Sequence, residues 1–237
     1  MNNLIYRTGI FALIIQIFAV VFGYYVLGLT VPPSFLFLKK LLWLELFVQI
    51  IQGSFYIWMT TNFSKIADIT PFRYNDWFIT TPIMLFTYSF YLLYLKYREE
   101  NKVIDKNIFE LVQENLWILI PIILLNVLML AFGYLGELKK ITKYLAAFLG
   151  FIPFILMFSI IYINYAIYSA NGIKIFWYFC GIWSLYGVAS VLPYEIKNVM
   201  YNILDFFSKN FFGIFLAFIL FFANQEMTNT TKNETNM

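Results

Sequence analysis

The stretch LDFFSKNFFGIFLAFILFF, residues 204–222, combines an apolar run long enough to cross a lipid bilayer with two charged side chains. A membrane-spanning helix needs about 20 consecutive, mostly apolar residues. Asp205 and Lys209 are four residues apart, so a helix places them one turn apart on the same face. Ionisable residues inside a span are costly and usually pair with one another inside a helix bundle. The stretch therefore predicts a membrane helix that carries a buried ionisable site.

The composition of the whole chain agrees with this interpretation. Of its 237 residues, 62% are hydrophobic and 12% are charged, whereas about a quarter of the residues of a soluble domain are charged. The single cysteine excludes an internal disulfide framework, and the absence of histidine excludes histidine as a base or metal ligand. A net charge of +3 gives no reason to expect a nucleic-acid partner. We expect an integral membrane protein and not an enzyme.

Seven segments are long and apolar enough to span a bilayer. They cover residues 8–30, 38–61, 72–95, 112–134, 141–168, 172–193 and 197–224. Residues 1–225 are predicted to form one all-α, seven-transmembrane helix bundle, and residues 226–237 a polar cytoplasmic tail without regular structure. A small excess of Lys and Arg in the loops that follow odd-numbered segments places the N-terminus outside the cell.

Ionisable side chains inside the predicted spans point to one shared site. They are Glu45, Asp76, Asp205 and Lys209. Arg73, Asp76 and Thr80 follow one helical face at positions i, i+3 and i+7. A desolvated lysine loses its proton more easily and forms Schiff bases with aldehydes, so Lys209 is a candidate covalent anchor. Asp76 and Asp205 would balance its charge. The alternative is an ion pair that only fixes helix packing, as in a small transporter.

Four motifs resemble the microbial-type rhodopsins, which are retinal-binding membrane proteins of seven helices. RYNDWFITTPIML (73–85) resembles their third helix, and LDFFSKN (204–210) resembles the seventh helix with its retinal lysine. WSLY (183–186) resembles the sixth helix, and NVLMLAFGYLG (126–136) resembles the fourth. The resemblance covers essentially the whole chain. Because fold alone does not license a function, the match of site residues in four separate helices matters more than the helix count.

The resemblance implies a role for each ionisable residue. Lys209 would carry all-trans retinal as a protonated Schiff base. Asp76 would be the primary counterion and the proton acceptor after photoisomerisation, and Asp205 would be the second counterion. Arg73 would hold the counterion water cluster from the extracellular side, and Thr80 would form a hydrogen bond with Asp76.

The same resemblance implies a retinal pocket. Its lining residues would be Trp77, Thr81, Met129, Gly133, Phe154, Trp183 and Tyr186. Trp77 and Trp183 would sandwich the polyene chain. Proteins of this family often form oligomers, so we expect a homo-oligomer in the membrane.

Two further features bear on what the protein does with light. Thr87 stands where efficient outward proton pumps of the family carry a carboxylic acid. Glu45, Gln49 and Gln52 form a polar stripe on the second predicted helix at i, i+4 and i+7. With Asn210 they would line a hydrated path that favours cations; the alternative is that they only form hydrogen bonds between helices.

The stripe and the SKN sequence at the lysine are similar to the rhodopsins of large viruses of algae and other protists. Those proteins include light-gated cation channels in one branch and weak proton pumps in another. We favour a light-gated cation channel here, because the polar stripe is present and the inner acid is absent from the third helix. A slow outward proton pump and a sensory rhodopsin remain alternatives. The expected location is a multi-pass position in a membrane, the host cell membrane for a viral protein.

Overall fold

The computed structural model describes residues 3–235, and these residues form seven helical spans and no strand. The first six spans are single helices: α1 (Asn3–Leu27), α2 (Leu36–Asn62), α3 (Thr70–Glu99), α4 (Ile108–Glu137), α5 (Lys143–Asn164) and α6 (Ala170–Ser190). The seventh span consists of α7 (Tyr194–Asp205), a π-helical turn (Phe206–Asn210) and α8 (Phe211–Thr235). The prediction of an all-α seven-helix fold is confirmed.

The outer surface of the bundle is apolar. Five of the described helical stretches are long and apolar enough to cross a membrane by length and composition: Leu4–Leu27, Thr70–Glu99, Ile108–Glu137, Lys143–Tyr168 and Tyr194–Thr230. Large apolar side chains point away from the bundle, among them Trp117 of α4, which is 84% exposed. An apolar exterior around a core that contains charged groups is the arrangement expected of a protein dissolved in lipid.

The helices form a closed ring. Each span packs against the next one along the chain, and α1 returns to contact α7 and α8. Since consecutive helices run in opposite directions, α1, α3, α5 and α7 all begin at the same end of the bundle. We call this end the outer end, following the predicted orientation of the N-terminus, and we call the other end the inner end.

Capping groups set several helix boundaries that hydropathy alone misplaces. Asn107 begins α4 with a capping box to Glu110, and the Ser169 hydroxyl accepts a hydrogen bond from the Gly172 N–H at the start of α6. Such caps satisfy backbone donors that the helix leaves free. The last helix continues to Thr235, whereas the sequence predicts a tail without regular structure from residue 226. Residues 236 and 237 lie outside the described part of the chain.

The π-helical turn lies at the ionisable site of the seventh span. The Phe211 N–H donates to the Phe206 carbonyl five residues earlier, instead of to the fourth. Turns of this kind often occur at functional sites, because the extra residue changes the direction of the side chains around it. Here the turn contains Lys209 and joins the two helices of the seventh span.

Candidate functional site

A buried cluster of charged groups lies at the centre of the bundle. The Lys209 Nζ is 2.5 Å from Oδ2 of Asp76 on α3 and 3.8 Å from Oδ1 of Asp205 on its own span. The three residues are only 0–4% exposed. The structure therefore brings together the three ionisable residues that the spacing of the sequence assigns to one site.

Arg73 lies one turn closer to the outer end than Asp76. Its Nη1 is 3.8 Å from Oδ2 of Asp205, its Nε donates to Asn198 Oδ1 at 3.0 Å, and its Nη2 donates to Asn202 Oδ1 at 2.6 Å. Arg73 is fully buried. Two asparagines of α7 thus hold the guanidinium in place, a role that the sequence analysis did not assign to them.

Two tyrosines donate hydrogen bonds to Asp205. The Tyr56 hydroxyl of α2 lies 2.7 Å from Oδ2, and the Tyr186 hydroxyl of α6 lies 2.8 Å from Oδ1. Tyr56 was missed by the sequence analysis. The signal that would have found it is the polar stripe on α2, because four residues after Gln52 the same face continues to Tyr56.

Tyr56→Phe is expected to lower the free energy of unfolding by about 1.5–3 kcal/mol, the usual contribution of a hydrogen bond to a charged group. The ring stays buried, so only the bond to Asp205 is lost. Thermal unfolding of the purified protein measures the change. Tyr88→Phe is the matched control, because the buried Tyr88 hydroxyl has no hydrogen-bond partner among the described residues. Equal effects of the two substitutions would contradict the importance of the Tyr56–Asp205 bond.

The hydroxyl of Thr80 contacts Asp76 at its backbone and not at its carboxylate. Thr80 Oγ1 donates to the Asp76 carbonyl at 2.9 Å, the back-bonding common for threonine within a helix. Oδ1 of Asp76 has no partner among the described residues. The neighbouring Thr81 is hydrogen-bonded to Asn126 of α4. Asn126 Nδ2 donates to Thr81 Oγ1 at 2.8 Å.

A cavity of about 110 Å³ begins at Lys209 and runs between α3, α4, α5 and α6. Its lining includes every residue that the resemblance assigns to the retinal pocket, namely Trp77, Thr81, Met129, Gly133, Phe154, Trp183 and Tyr186. Most of these side chains are apolar or aromatic, as is usual for the binding site of a small hydrophobic molecule. The chemistry of this lining, apolar and aromatic side chains beside a lysine, suits an apolar ligand that reacts with an amine.

Two glycines allow aromatic rings to approach the cavity closely. A Cβ atom on Gly133 would lie 2.5 Å from the Tyr74 hydroxyl, and one on Gly187 would lie 2.6 Å from the ring of Phe151. Both distances are too short for van der Waals contact, so any larger residue would displace the ring. Gly187 thus serves close packing of α6 on α5.

Polar side chains of α1, α2 and the seventh span form a second buried network beside the lysine. Gln16 Nε2 donates to both the side-chain and the backbone oxygen of Gln49, the latter at 2.7 Å. Gln49 Nε2 donates to the backbone carbonyl of Lys209 at 2.9 Å, and Asn210 Nδ2 donates to Gln16 Oε1 at 3.0 Å. Gln16 was not recognised as a site residue, since it is isolated among the apolar residues 9–22 of α1.

Glu45 lies apart from the charged cluster, toward the inner end of α2. It is fully buried and accepts a hydrogen bond from the Thr87 hydroxyl of α3, while its second carboxylate oxygen has no partner among the described residues. Gln52, one stripe position closer to the outer end than Gln49, is also buried with neither side-chain polar atom bonded within that part of the chain. All three residues of the stripe thus face the bundle interior in the middle of α2.

The fold and the site together define a seven-helix membrane protein built around a buried lysine, the class of the microbial rhodopsins. The chain belongs to the bacteriorhodopsin-like family, whose model matches residues 6–222. No match to a curated protein was found.

Solved structures agree with this assignment. Viral rhodopsin OLPVRII is 27% identical in sequence, with a TM-score of 0.75 over 90% of this chain and 96% of its own. A blue light-absorbing proteorhodopsin from Med12 (17% identical, TM-score 0.71, covering 93% of this chain and 98% of its own) shares the fold. Xanthorhodopsin, a light-driven ion pump with a dual chromophore, does so as well (18% identical, TM-score 0.71, 96% of both chains).

Proposed function

We propose that the protein binds all-trans retinal on Lys209 and moves cations across the membrane in response to light, as a light-gated cation channel. The N-terminus lies on the extracellular side. The observation that carries the proposal is the buried polar stripe of α2, which passes beside Lys209 and continues toward both ends of the bundle. Membership of this family supports retinal as the cofactor. The polar stripe supports passage of cations through the bundle.

The cavity supports retinal as the cofactor. Lys209 would hold it as a protonated Schiff base at one end, and Trp77 and Trp183 would pack against its chain. When bound, retinal supplies light absorption and a change of shape. Asp76 and Asp205 would balance the positive charge at Nζ, because both carboxylates lie within 4 Å of it.

A direct contact joins the lysine to the stripe. Gln49 donates to the backbone carbonyl of Lys209 and also accepts from Gln16, so a displacement of this part of the seventh span would break bonds on both sides. A Cβ atom on Gly213 of α8 would lie 3.0 Å from Nε2 of Gln49 on α2, so these two helices approach each other closely here. In the closed state the bonded amides block the path, and in the open state the same amides would coordinate water and ions.

Current recordings under voltage clamp test the transport mode. A channel current changes sign near the equilibrium potential of the cation, whereas a pump current stays outward at every voltage. Glu45→Gln is expected to reduce the photocurrent severalfold and to weaken cation selectivity, since it removes the ionisable carboxyl group from the inner part of the path. Glu114→Gln is the control, because Glu114 is an exposed carboxylate at the inner end of α4 that pairs with Lys106 at 2.5 Å. Unchanged currents in Glu45→Gln would contradict the proposed path.

A slow outward proton pump is the second candidate, and the Thr87–Glu45 bond favours it. On α3, Thr87 stands where the family's efficient pumps carry an acid. Its hydroxyl donates to the carboxyl group of Glu45, which α2 supplies instead. Glu45 would then return a proton to the region of Lys209 from the inner side. For a pump, Glu45→Gln should leave the current outward while recovery of the visible band slows by about 100-fold, the usual contribution of a general acid.

A further inference from the structure

The cavity that begins at Lys209 does not end at the apolar pocket. Toward the outer end of the bundle its lining continues past Tyr201 and Tyr74 to Glu137, at the end of α4, and to Lys143, at the start of α5. The cavity therefore has an apolar part and an outer polar part. The outer part leads from the charged cluster toward the membrane surface.

Glu137 forms a sheltered ion pair at this outer part. Its Oε2 lies 2.6 Å from the Nζ of Lys197 on α7, and the two side chains are only 9% and 11% exposed. Lys143 and Asp68 are the other charged residues that act on Glu137. Lys143 itself donates to the Val191 carbonyl at the end of α6, at 2.5 Å. Glu137 thus pairs directly with the Lys197 ammonium, and Lys143 is a second cation in the lining of the same outer part of the cavity.

Three tyrosines line the cavity between the charged cluster and this carboxylate. Asp205 accepts from Tyr186, whose ring stacks on that of Tyr201 with centroids 5.7 Å apart. Tyr201 and Tyr74 then line the cavity on the way to Glu137. Tyrosine hydroxyls both donate and accept hydrogen bonds, so bridging water between them would complete a path for protons to Glu137.

The other way toward the outer end passes Arg73 and is closed by direct hydrogen bonds. Beyond Arg73, Asn198 donates to Thr70 at 2.9 Å and to the Tyr194 carbonyl at 3.0 Å. These immediate neighbours are an amide, a hydroxyl and a backbone carbonyl, none of which takes up a proton near neutral pH. The carboxylate beyond them is Asp68, whose Oδ1 accepts from the Thr70 N–H at 2.9 Å.

We propose that Glu137 is the carboxylate through which protons leave the protein on the outer side. A proton that leaves the Lys209 region is accepted by Asp76 or Asp205 and passes along the tyrosine-lined cavity. It protonates Glu137, separates it from Lys197, and then goes to the solvent, which restores the ion pair. One proton enters the route for each one released. This inference rests on the proposed binding of retinal to Lys209 and on the second candidate function, the outward proton pump, since it requires light to drive a proton outward from Lys209.

Flash excitation of the retinal-loaded protein with a pH-indicator dye tests the proposal. Glu137→Gln keeps an oxygen that accepts from Lys197 but cannot carry a proton, so the appearance of protons in solution should be delayed about tenfold or more. Glu137→Asp, which retains the acid, should stay close to the wild-type timing. Glu195→Gln is the control on the same side, since Glu195 is an exposed carboxylate near the start of α7.

The possible outcomes separate this inference from the proposed function. Wild-type timing in Glu137→Gln would overturn the inference, and so would an equal delay in Glu137→Asp, which would indicate only a structural brace. A coloured, current-carrying wild-type protein that releases no proton would overturn it as well. A protein that stays colourless with retinal would instead refute the function on which the inference rests.

Discussion

Lys209→Ala is expected to stay colourless when all-trans retinal is added, while the wild-type protein develops a visible absorption band. A Schiff base requires a primary amine, and the Nζ of Lys209 is the amine that contacts two buried carboxylates beside the cavity. The loss of the band should be complete, because a neighbouring residue cannot replace a covalent anchor. Absorption spectra before and after addition of hydroxylamine provide the measurement.

Lys143→Ala is the matched control, because Lys143 is a second lysine in the lining of the same cavity. It lies at the outer part, away from Asp76, and its removal should leave the band in place. A visible band in Lys209→Ala that is lost in Lys143→Ala would show that the anchor is assigned to the wrong residue.

Folding of the Lys209→Ala variant needs its own check. Removal of one partner of a buried ion pair costs about 3–5 kcal/mol, because the remaining charge is left without compensation. Asp76 and Asp205 would then face each other without the ammonium. Lys209→Ala combined with Asp76→Asn removes both members of the closest contact, and circular dichroism shows whether either variant retains its helices.

Asp76→Asn is expected to shift the visible band to the red and to reduce light-driven proton release by about 100-fold or more. The carboxylate lies 2.5 Å from the Lys209 Nζ and stabilises a positive charge there in the ground state. Its loss narrows the excitation gap and also removes the proton acceptor. The spectrum of the retinal-loaded variant and a dye assay of proton release measure the two effects separately.

Asp205→Asn provides the comparison for this prediction. Asp205 lies 3.8 Å from the same amine and shares its charge with Arg73 and with hydroxyls of Tyr56 and Tyr186. Its substitution should therefore shift the band less than Asp76→Asn does. An unchanged spectrum in Asp76→Asn would refute the role of Asp76 as the main counterion. A larger shift in Asp205→Asn would show that Asp205 is the main counterion and Asp76 the second.

Much of the site follows from local spacing. Arg73, Asp76 and Thr80 share a helical face, and Asp205 precedes Lys209 by one turn, so helical geometry alone brings each set to one side of its helix. The cost of burying charge in lipid then makes these faces turn inward and meet. The residues of the retinal pocket came from the resemblance of four motifs, since periodicity gives no reason to choose Trp77 or Trp183 among so many aromatic residues.

Other contacts could not be predicted from spacing, because their partners are far apart in the chain. Tyr56 donates a hydrogen bond to Asp205, 149 residues away in the sequence. Gln16 accepts one from the side-chain amide of Asn210, 194 residues away. Hydropathy identifies such residues as polar but does not name their partners. The Thr80 hydroxyl shows the opposite case, where a local backbone acceptor competes successfully with the carboxylate that the motif suggested.

By itself, the amino-acid sequence determined that this protein is a bundle of seven helices in a membrane with a lysine and two carboxylates inside, because apolar length and helical period are properties of each segment alone. Only the tertiary structure decided that Glu45 contacts Thr87, that Gln49 contacts the backbone of Lys209, and that the cavity reaches Glu137. Those contacts depend on the rotation and approach of helices relative to one another, which close packing of side chains from distant segments sets.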